Sequence, residues 1–223
     1  AAAGGTPLHY PLLEIEAADP APLQAVAPRL ADYAIVFCVS PNAVEHALPT
    51  LLAAGPWPAG TRPAGVGTGT EKAWARFGLD RVIAPRERFD SEALLELPEF
   101  QAEAVAGKKV LILRGDGGRE LLRETLEARG ATVDVLTCYH RRPPSQGTAA
   151  LEQAWTAGRL DAIIISSSEA LRYLWQLLDE DGRRRLAQTP LFVPHERIAQ
   201  GAKDLGLQRV ILTPPADQGL LAG

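Results

Sequence analysis

The sequence contains no methionine, not even at position 1, and only two cysteines, Cys38 and Cys138. The first absence leads us to expect that the polypeptide begins upstream of Ala1. The two cysteines lie far apart, with no Cys-x-x-Cys pair and no Cys/His cluster, which excludes a disulfide framework and offers no zinc-ligand spacing. A cytoplasmic setting fits this usage. An excess of positive charge is also lacking: the formal net charge is -4 and the isoelectric point is near 5.6. Nucleic acid and anionic membrane surfaces therefore feel no global attraction, and any anionic ligand must be held by local groups. No apolar run reaches the ~18 residues of a membrane-spanning helix. No charged start leads into an apolar signal segment either. His9, His46 and His195 have no partner cysteines and no HExxH spacing, so they read as surface or capping residues.

What is present is enough apolar material for a substantial core, 46% of 223 residues, a length that suits one large domain or two small ones. Short β-branched runs alternate with amphipathic stretches, the pattern of βα units and a parallel sheet. Strands are expected at Ala34–Val39, Arg81–Ala84, Val110–Leu113, Ala162–Ile165, Leu191–Val193 and Val210–Leu212. Helices are expected at Pro41–Leu52, Glu71–Phe77, Gly118–Arg129, Ser168–Leu178 and Glu196–Leu205. The fold class is α/β.

The chain also repeats itself. The run from Asp32 to Ser40 is echoed by Asp161–Ser166, Gly78–Pro85 by Gly206–Pro214, and Phe89–Leu95 by Ala216–Leu221, in the same order and at a nearly constant offset. This implies two related flavodoxin-like α/β domains. Arg129–Leu136, a helix end turning at Gly130 into a strand, has its counterpart in Ala3–Tyr10. The strand and helix of Lys108–Arg129 have no counterpart, so one strand and one helix are expected upstream of Ala1. The expected division is a continuous domain at 18–132, two β linker strands within 1–17 and 133–142, and a second domain at 143–223. The two extended crossings, Pro11–Ala17 and Val133–Arg142, form a hinge, and the cleft it creates suits a ligand.

Candidate binding groups sit where strands run into helices. In Val110–Glu120 an apolar strand enters the turn Arg114-Gly115-Asp116-Gly117-Gly118-Arg119 and then a helix. Such a turn offers unpaired N–H groups and the positive end of a helix dipole to a carboxylate or phosphate, with Arg114 and Arg119 nearby. A purely steric need for the glycines is the equal alternative. Ser40 in one module, and Ser166 and Ser167 in the other, close strands and open helices, which makes them caps and also places them where open sheets bind ligands. Gly65-Val-Gly-Thr-Gly-Thr70 imitates a dinucleotide fingerprint but has Thr70 in place of its third glycine, so a polar helix-capping turn, with Thr68 and Thr70 as donors, is the better reading. Tyr139, followed by His140, Arg141 and Arg142, ends a crossing strand. A ring packed at a domain edge and a phenol acting as a proton donor are both open to it.

Taken in order, Phe37–Val44, Gly65–Thr70, Asp90–Leu95, Leu113–Glu120, Cys138–Arg142, Asp161–Ser168 and Pro194–Ala199 resemble the corresponding motifs of bacterial uroporphyrinogen-III synthases, over essentially the whole chain. The resemblance implies two α/β lobes joined by a two-stranded ladder, with the first strand and helix belonging to the C-terminal lobe. It implies an activity: hydroxymethylbilane loses its terminal hydroxyl, the substituted carbon of ring D attacks, and a spiro intermediate fragments and recloses with ring D reversed. It implies Tyr139 as the acid assisting departure of hydroxide. It further implies Ser40, Thr68, Thr70, Arg114, Gly117, Gly118, Arg119, Ser166, Ser167 and Arg197 as contacts for the eight substrate carboxylates. Arg197 lies in Pro194-His-Glu-Arg197, which departs from the Gly/Thr-rich turn of some members. No cofactor and no metal are implied. The protein is expected to be a cytoplasmic monomer acting on a small molecule, with transient handover from hydroxymethylbilane synthase, and without nucleic acid or membrane partners. The competing reading is a two-lobed binding protein that closes on a small anionic ligand without chemistry. A nucleotide-dependent regulator would need a phosphate loop with Lys or an acidic metal pocket, and the sequence offers neither.

Overall fold

The computed structural model describes residues 5–117 and 120–213, and the chain divides into two compact units. One comprises Ile15–Arg141; the other comprises the segments before and after it, up to Glu14 and from Arg142. No helix among the described residues is long and apolar enough to cross a membrane.

The elements of the continuous unit are β1 (Glu14–Ala17), α1 (Ala21–Val26), β2 (Tyr33–Cys38), α2 (Pro41–Ala53), β3 (Arg62–Gly65), α3 (Thr68–Ala75), α4 (Ser91–Glu96), α5 (Ala102–Val105), β4 (Lys109–Gly115), α6 (Leu121–Ala128) and β5 (Thr132–Arg142). The sheet order is β1-β5-β4-β2-β3, and β5, β4, β2 and β3 are parallel neighbours. A parallel strand covered on both faces must be apolar at every position, and Tyr-Ala-Ile-Val-Phe-Cys of β2 meets that demand. Val36 and Cys38 pack with Val44, Leu48 and Trp74 on one face, while Ile35 and Phe37 pack with Leu94, Phe100 and Leu126 on the other. In α2 the buried Ala43, Val44, Ala47, Leu48 and Leu51 recur at helical spacing, so one stripe faces the sheet. At ~25 cal/mol per Å² of apolar area, such burial is the main force closing the unit.

The second unit carries α7 (Ala149–Thr156), β6 (Ile163–Ile164), α8 (Ser168–Leu177), α9 (Glu180–Gln188), β7 (Leu191–Val193), α10 (Glu196–Asp204) and β8 (Val210–Leu212). Its three strands are parallel, in the order β6-β7-β8. Its core gathers Leu151, Leu171, Leu174, Leu186 and Ile198 around Leu191 and Val193. The sequence echo has a local structural basis. Both α3 and α10 end in a glycine with positive φ, Gly78 at 79° and Gly206 at 83°. In each, the next residue donates back into the last turn: Leu79 to the Trp74 carbonyl at 3.3 Å and Leu207 to the Ala202 carbonyl at 3.1 Å. This helix stop requires φ values that side chains disfavour, and glycine supplies them.

Arg81–Ala84, expected as a strand, makes only a single bridge, Ala64 to Ile83. The reason is two prolines. In the second unit the equivalent pairing of Phe192 with Ile211 is extended by Leu191 N–H to Arg209 O (2.8 Å) and by Thr213 N–H to Val193 O (2.9 Å). Register places Pro63 where Leu191 stands and Pro85 where Thr213 stands. Neither proline has an N–H to give, so the ladder stops after one step in each direction. The helix expected from Gly118 begins at Leu121, and its first expected residues, Gly118 and Arg119, lie outside the described ones, as does the Ala216–Leu221 echo. Strand β3 and helices α1, α4, α5, α7 and α9 had not been delimited in the sequence.

Candidate active site

Three strands of the continuous unit, β2, β4 and β5, bring their carboxyl ends together. At the end of β2 the chain turns at Ser40 into α2. The Ser40 hydroxyl oxygen accepts from Ala43 N–H at 3.2 Å, and Pro41 opens the helix where no N–H is needed. Strand β4 ends on Gly115, followed by Asp116 and Gly117, the last at φ 63°.

Register between β4 and β5 shifts at this point. Arg114 faces Thr137, but Gly115 faces Tyr139, so Cys138 is the extra residue of a bulge. The Cys138 thiol donates to the Arg114 carbonyl at 3.3 Å and to the Ala43 carbonyl at 3.6 Å. Burial pushes it up to about 12. Burial likewise raises the Cys38 thiol, with the nearby Cys138 adding to the effect. Neither is a thiolate near neutral pH, so neither serves as a nucleophile.

The bulge sets the Tyr139 ring directly on Gly115: a Cβ at position 115 would lie 2.5 Å from both Cε2 and Cζ of Tyr139. Tyr139 is fully buried, and its hydroxyl is satisfied on two sides. Ser40 Oγ lies 3.1 Å away, with either atom able to donate, and Arg141 Nη2 donates to it at 2.9 Å. The Arg141 guanidinium also covers the ring, 5.2 Å from its centroid, and the His46 ring lies 5.9 Å away. Asp116 organises the edge. One of its oxygens meets His140 Nδ1, the other accepts from the Arg141 backbone N–H at 3.0 Å, and its carbonyl accepts from Arg141 Nη1 at 3.4 Å. Asp116, Arg141 and the roles of His46 and His140 were not singled out in the sequence. A bulge between distant strands creates their meeting, and no local pattern announces it.

The other expected site residues are distributed as follows. Ser40 joins Tyr139. Arg114 does not. It alternates to the other face of β4 and donates to Glu120 at 2.9 Å, while Arg123 occupies the second Glu120 oxygen at 2.8 Å. The Arg114 hydrogen bond is the main reason that the Glu120 carboxyl is held below its usual range. Gly117 is exposed at the turn, and Gly118 and Arg119 lie outside the described residues. Thr68 is exposed at the start of α3. Thr70 is buried, with its methyl group 2.6 Å from where a Cβ on Gly65 would sit, so its side chain packs against β3. In the second unit Ser167 caps α8 by accepting from Ala170 N–H at 3.0 Å, Ser166 is exposed just before it, and Arg197 is exposed in the first turn of α10. Among the described residues, no three His, Cys, Asp or Glu side chains gather as a metal site would require.

Fold and site together define a class: an α/β protein with a doubly hydrogen-bonded phenol at the carboxyl edge of a parallel sheet, the edge at which such sheets take their ligands. The family model described as uroporphyrinogen-III synthase HemD matches residues 1–222. Relatives named uroporphyrinogen-III synthase include one from Salmonella typhimurium, 37% identical over 99% of this chain and 90% of its own length. Another, from Escherichia coli, is 34% identical over 96% and 87%. Among solved structures, the uroporphyrinogen-III synthetase of Helicobacter pylori shares the fold with a TM-score of 0.62 at 15% identity, covering 95% of this chain and 88% of that one. A mutant uroporphyrinogen III synthase of Thermus thermophilus does so at 0.56 and 17%, covering 98% and 86%. The chain belongs to the uroporphyrinogen-III synthase family, cyclising lyases of tetrapyrrole biosynthesis.

Proposed function

We propose that the protein closes hydroxymethylbilane to uroporphyrinogen III, with inversion of ring D and loss of water, and that Tyr139 is its proton donor. The observation carrying this reading is the buried Tyr139 hydroxyl, held between Ser40 and Arg141 at the carboxyl edge. A phenol is a neutral acid near pH 7. Its proton goes to the departing hydroxide, which leaves as water. The α-hydrogen of ring D is lost when that ring regains aromaticity, so the protein ends in its starting protonation state. Because the bilane closes unaided to the uninverted isomer, most of the task is to hold the substituted carbon of ring D against the new electrophile.

Eight carboxylates need many donors. Backbone N–H groups at the starts of α2, α3, α6, α8 and α10 supply them without a basic protein, with Ser40, Thr68, Gly117, Ser166, Ser167 and Arg197 at those turns; Gly118 and Arg119, of the same expected set, lie outside the described residues. Thr70 and Arg114, already engaged in packing and in the Glu120 pair, are the weaker members of the expected set. The reading of two related flavodoxin-like domains is supported by the matching helix stops at Gly78 and Gly206. It is also supported by strand order: read from β4 and counting the Ile83 bridge as the last strand, the continuous unit follows 2-1-3-4-5. We further propose that it works as a cytoplasmic monomer and receives the short-lived bilane by transient handover from hydroxymethylbilane synthase.

The test is to supply freshly made hydroxymethylbilane, oxidise the product and separate the isomers. The type III isomer is expected. Type I alone, with bilane bound, would favour a binding protein without chemistry. Tyr139→Phe is expected to lower kcat by about 10² to 10⁴ while the protein stays folded; unchanged kcat removes Tyr139 from the acid role.

A further inference from the structure

Phenylalanine ordinarily buries its ring. Phe89 does not: it is 57% exposed, in the loop that runs from the Ile83 bridge to the start of α4. That loop is tied on both sides. Arg86 pairs with Glu71 of α3 at 2.8 Å, Arg88 pairs with Glu96 of α4 at 2.5 Å, and Asp90 caps α4 by accepting from Ala93 N–H at 2.7 Å. Between these ties the Phe89 side chain rests on Gly67, where an added Cβ would lie 3.8 Å from its Cβ and Cδ1. Gly67 is the residue that opens α3. From this placement we propose that Phe89 is the platform for one of the two inner pyrrole rings of the substrate, whose carboxylate arms are taken by the backbone N–H groups at the start of α3. The proposal rests on hydroxymethylbilane being the substrate.

The ligand chemistry follows from what stands together. The first hydrogen bond of α3 is Glu71 N–H to the Gly67 carbonyl at 3.0 Å, which leaves the N–H groups of Thr68, Gly69 and Thr70 without a partner in the helix. Such donors suit an anion. An aromatic ring beside an anion site fits a flat ring that bears carboxylate arms, and each pyrrole of hydroxymethylbilane is an electron-rich ring with one acetate and one propionate. Aromatic pairs gain from offset-stacked or edge-to-face contact beyond the area they bury, so an aliphatic side chain at position 89 would offer area alone.

Phe89 and Tyr139 lie along one edge. Ser40, 3.1 Å from the Tyr139 hydroxyl, is followed by Pro41, and Pro41 Cγ lies 3.4 Å from where a Cβ on Gly69 would stand. The starts of α2 and α3 are therefore adjacent, and Phe89 continues the row from Gly67. Strand β5, which carries Tyr139, and β3, which leads to Gly67, are three strand spacings apart in the sheet, about 14 Å. A ring on Phe89 is thus away from the hydroxymethyl end that reacts at Tyr139, which is why an inner ring is assigned to it. Holding an inner ring suits the reaction, because only ring D turns over while the rest of the bilane keeps its place.

Porphobilinogen, a single pyrrole with one acetate and one propionate arm, probes the platform without turnover. Titrated with wild-type protein, its ring proton is expected to show a ring-current shift in the NMR spectrum. Phe89→Tyr keeps that shift and Phe89→Leu abolishes it, with circular dichroism showing all three folded. No shift with wild type, or the same shift with Phe89→Leu, overturns the platform. Kinetics with hydroxymethylbilane test its use. Phe89→Ala is expected to raise KM about tenfold with kcat changed by no more than about twofold, the signature of binding lost equally from ground and transition states. Phe89→Tyr behaves as wild type, and Phe89→Leu falls between. An unchanged KM in Phe89→Ala, or full recovery of KM in Phe89→Leu, overturns the proposal. If wild type itself yields only the type I isomer, the substrate reading fails, and the porphobilinogen shift still decides whether Phe89 seats a pyrrole.

Discussion

Replacing Gly115 by alanine is the sharpest single perturbation of the site. Gly115 does not have a positive φ, so alanine fits its backbone, and within a strand alanine is ordinarily favoured over glycine by about 0.5–1 kcal/mol. The new Cβ, however, would stand 2.5 Å from Cε2 and Cζ of Tyr139 and 3.0 Å from its hydroxyl oxygen. Carbon atoms rest at about 3.5–4.0 Å, so the ring must retreat by about 1 Å. Buried on all sides, it has nowhere to go without breaking the 3.1 Å contact to Ser40 or the 2.9 Å contact to Arg141. Overpacking of this kind costs about 1–3 kcal/mol, and a 1 Å misplacement of a catalytic group costs about 10²-fold in rate. We expect Gly115→Ala to lower the urea midpoint and to reduce kcat about a hundredfold, with type III still the enzymatic product. Adding Tyr139→Leu, which removes the ring, should recover most of the lost stability but none of the activity. A Gly115→Ala protein as stable and as active as wild type would refute the placement of the ring on Gly115.

Two further outcomes follow from other parts of the fold. Tyr33 donates to Asp134 at 2.5 Å, and burial first, then that carboxylate, pushes its phenol up to about 12 from 10.0. A raised value in the folded state means that stability is full below pH 10 and falls as pH rises from there toward 12. Tyr33→Phe should show a shallower alkaline loss in denaturation curves measured across that range, and an identical slope would contradict the assignment. At the sheet edge, Pro85→Thr supplies the N–H that Thr213 uses in the second unit. The amide at position 85 should then be protected from hydrogen exchange, and full exchange would show that proline was not what stopped the ladder.

Much of the fold was legible because it depends on local rules. The continuous apolar runs of β2 and β4 can sit only in a sheet covered on both faces, and the Ser-Pro start of α2 is a complete helix opening in itself. Gly-Leu-x-Arg-Val-Ile follows both α3 and α10 with the same glycine helix stop, which is why it betrayed the repeat. The same logic misled at Arg81–Ala84. Those residues suit a strand, but strand length belongs to the pair, and Pro63 and Pro85 deny the pair its outer hydrogen bonds. At Thr70, residue type suggested a donor facing a ligand. Helical phase instead turned the side chain inward against Gly65, a matter settled by how α3 lies on β3. Arg114 looked available until Glu120 was seen to hold it.

By itself, then, the sequence determined the class of fold, the starts of α2, α8 and α10, the helix stops at Gly78 and Gly206 and the internal echo, because each is written in residues near one another. Only the tertiary structure decided what Tyr139 touches. Ser40 caps α2 after β2, Gly115 closes β4 and Arg141 lies in β5, and the one-residue bulge at Cys138 that swings the ring onto Gly115 depends on the register of β4 against β5. Register is a property of two strands at once, so no reading along one of them discloses that the proposed acid lies buried beneath an arginine.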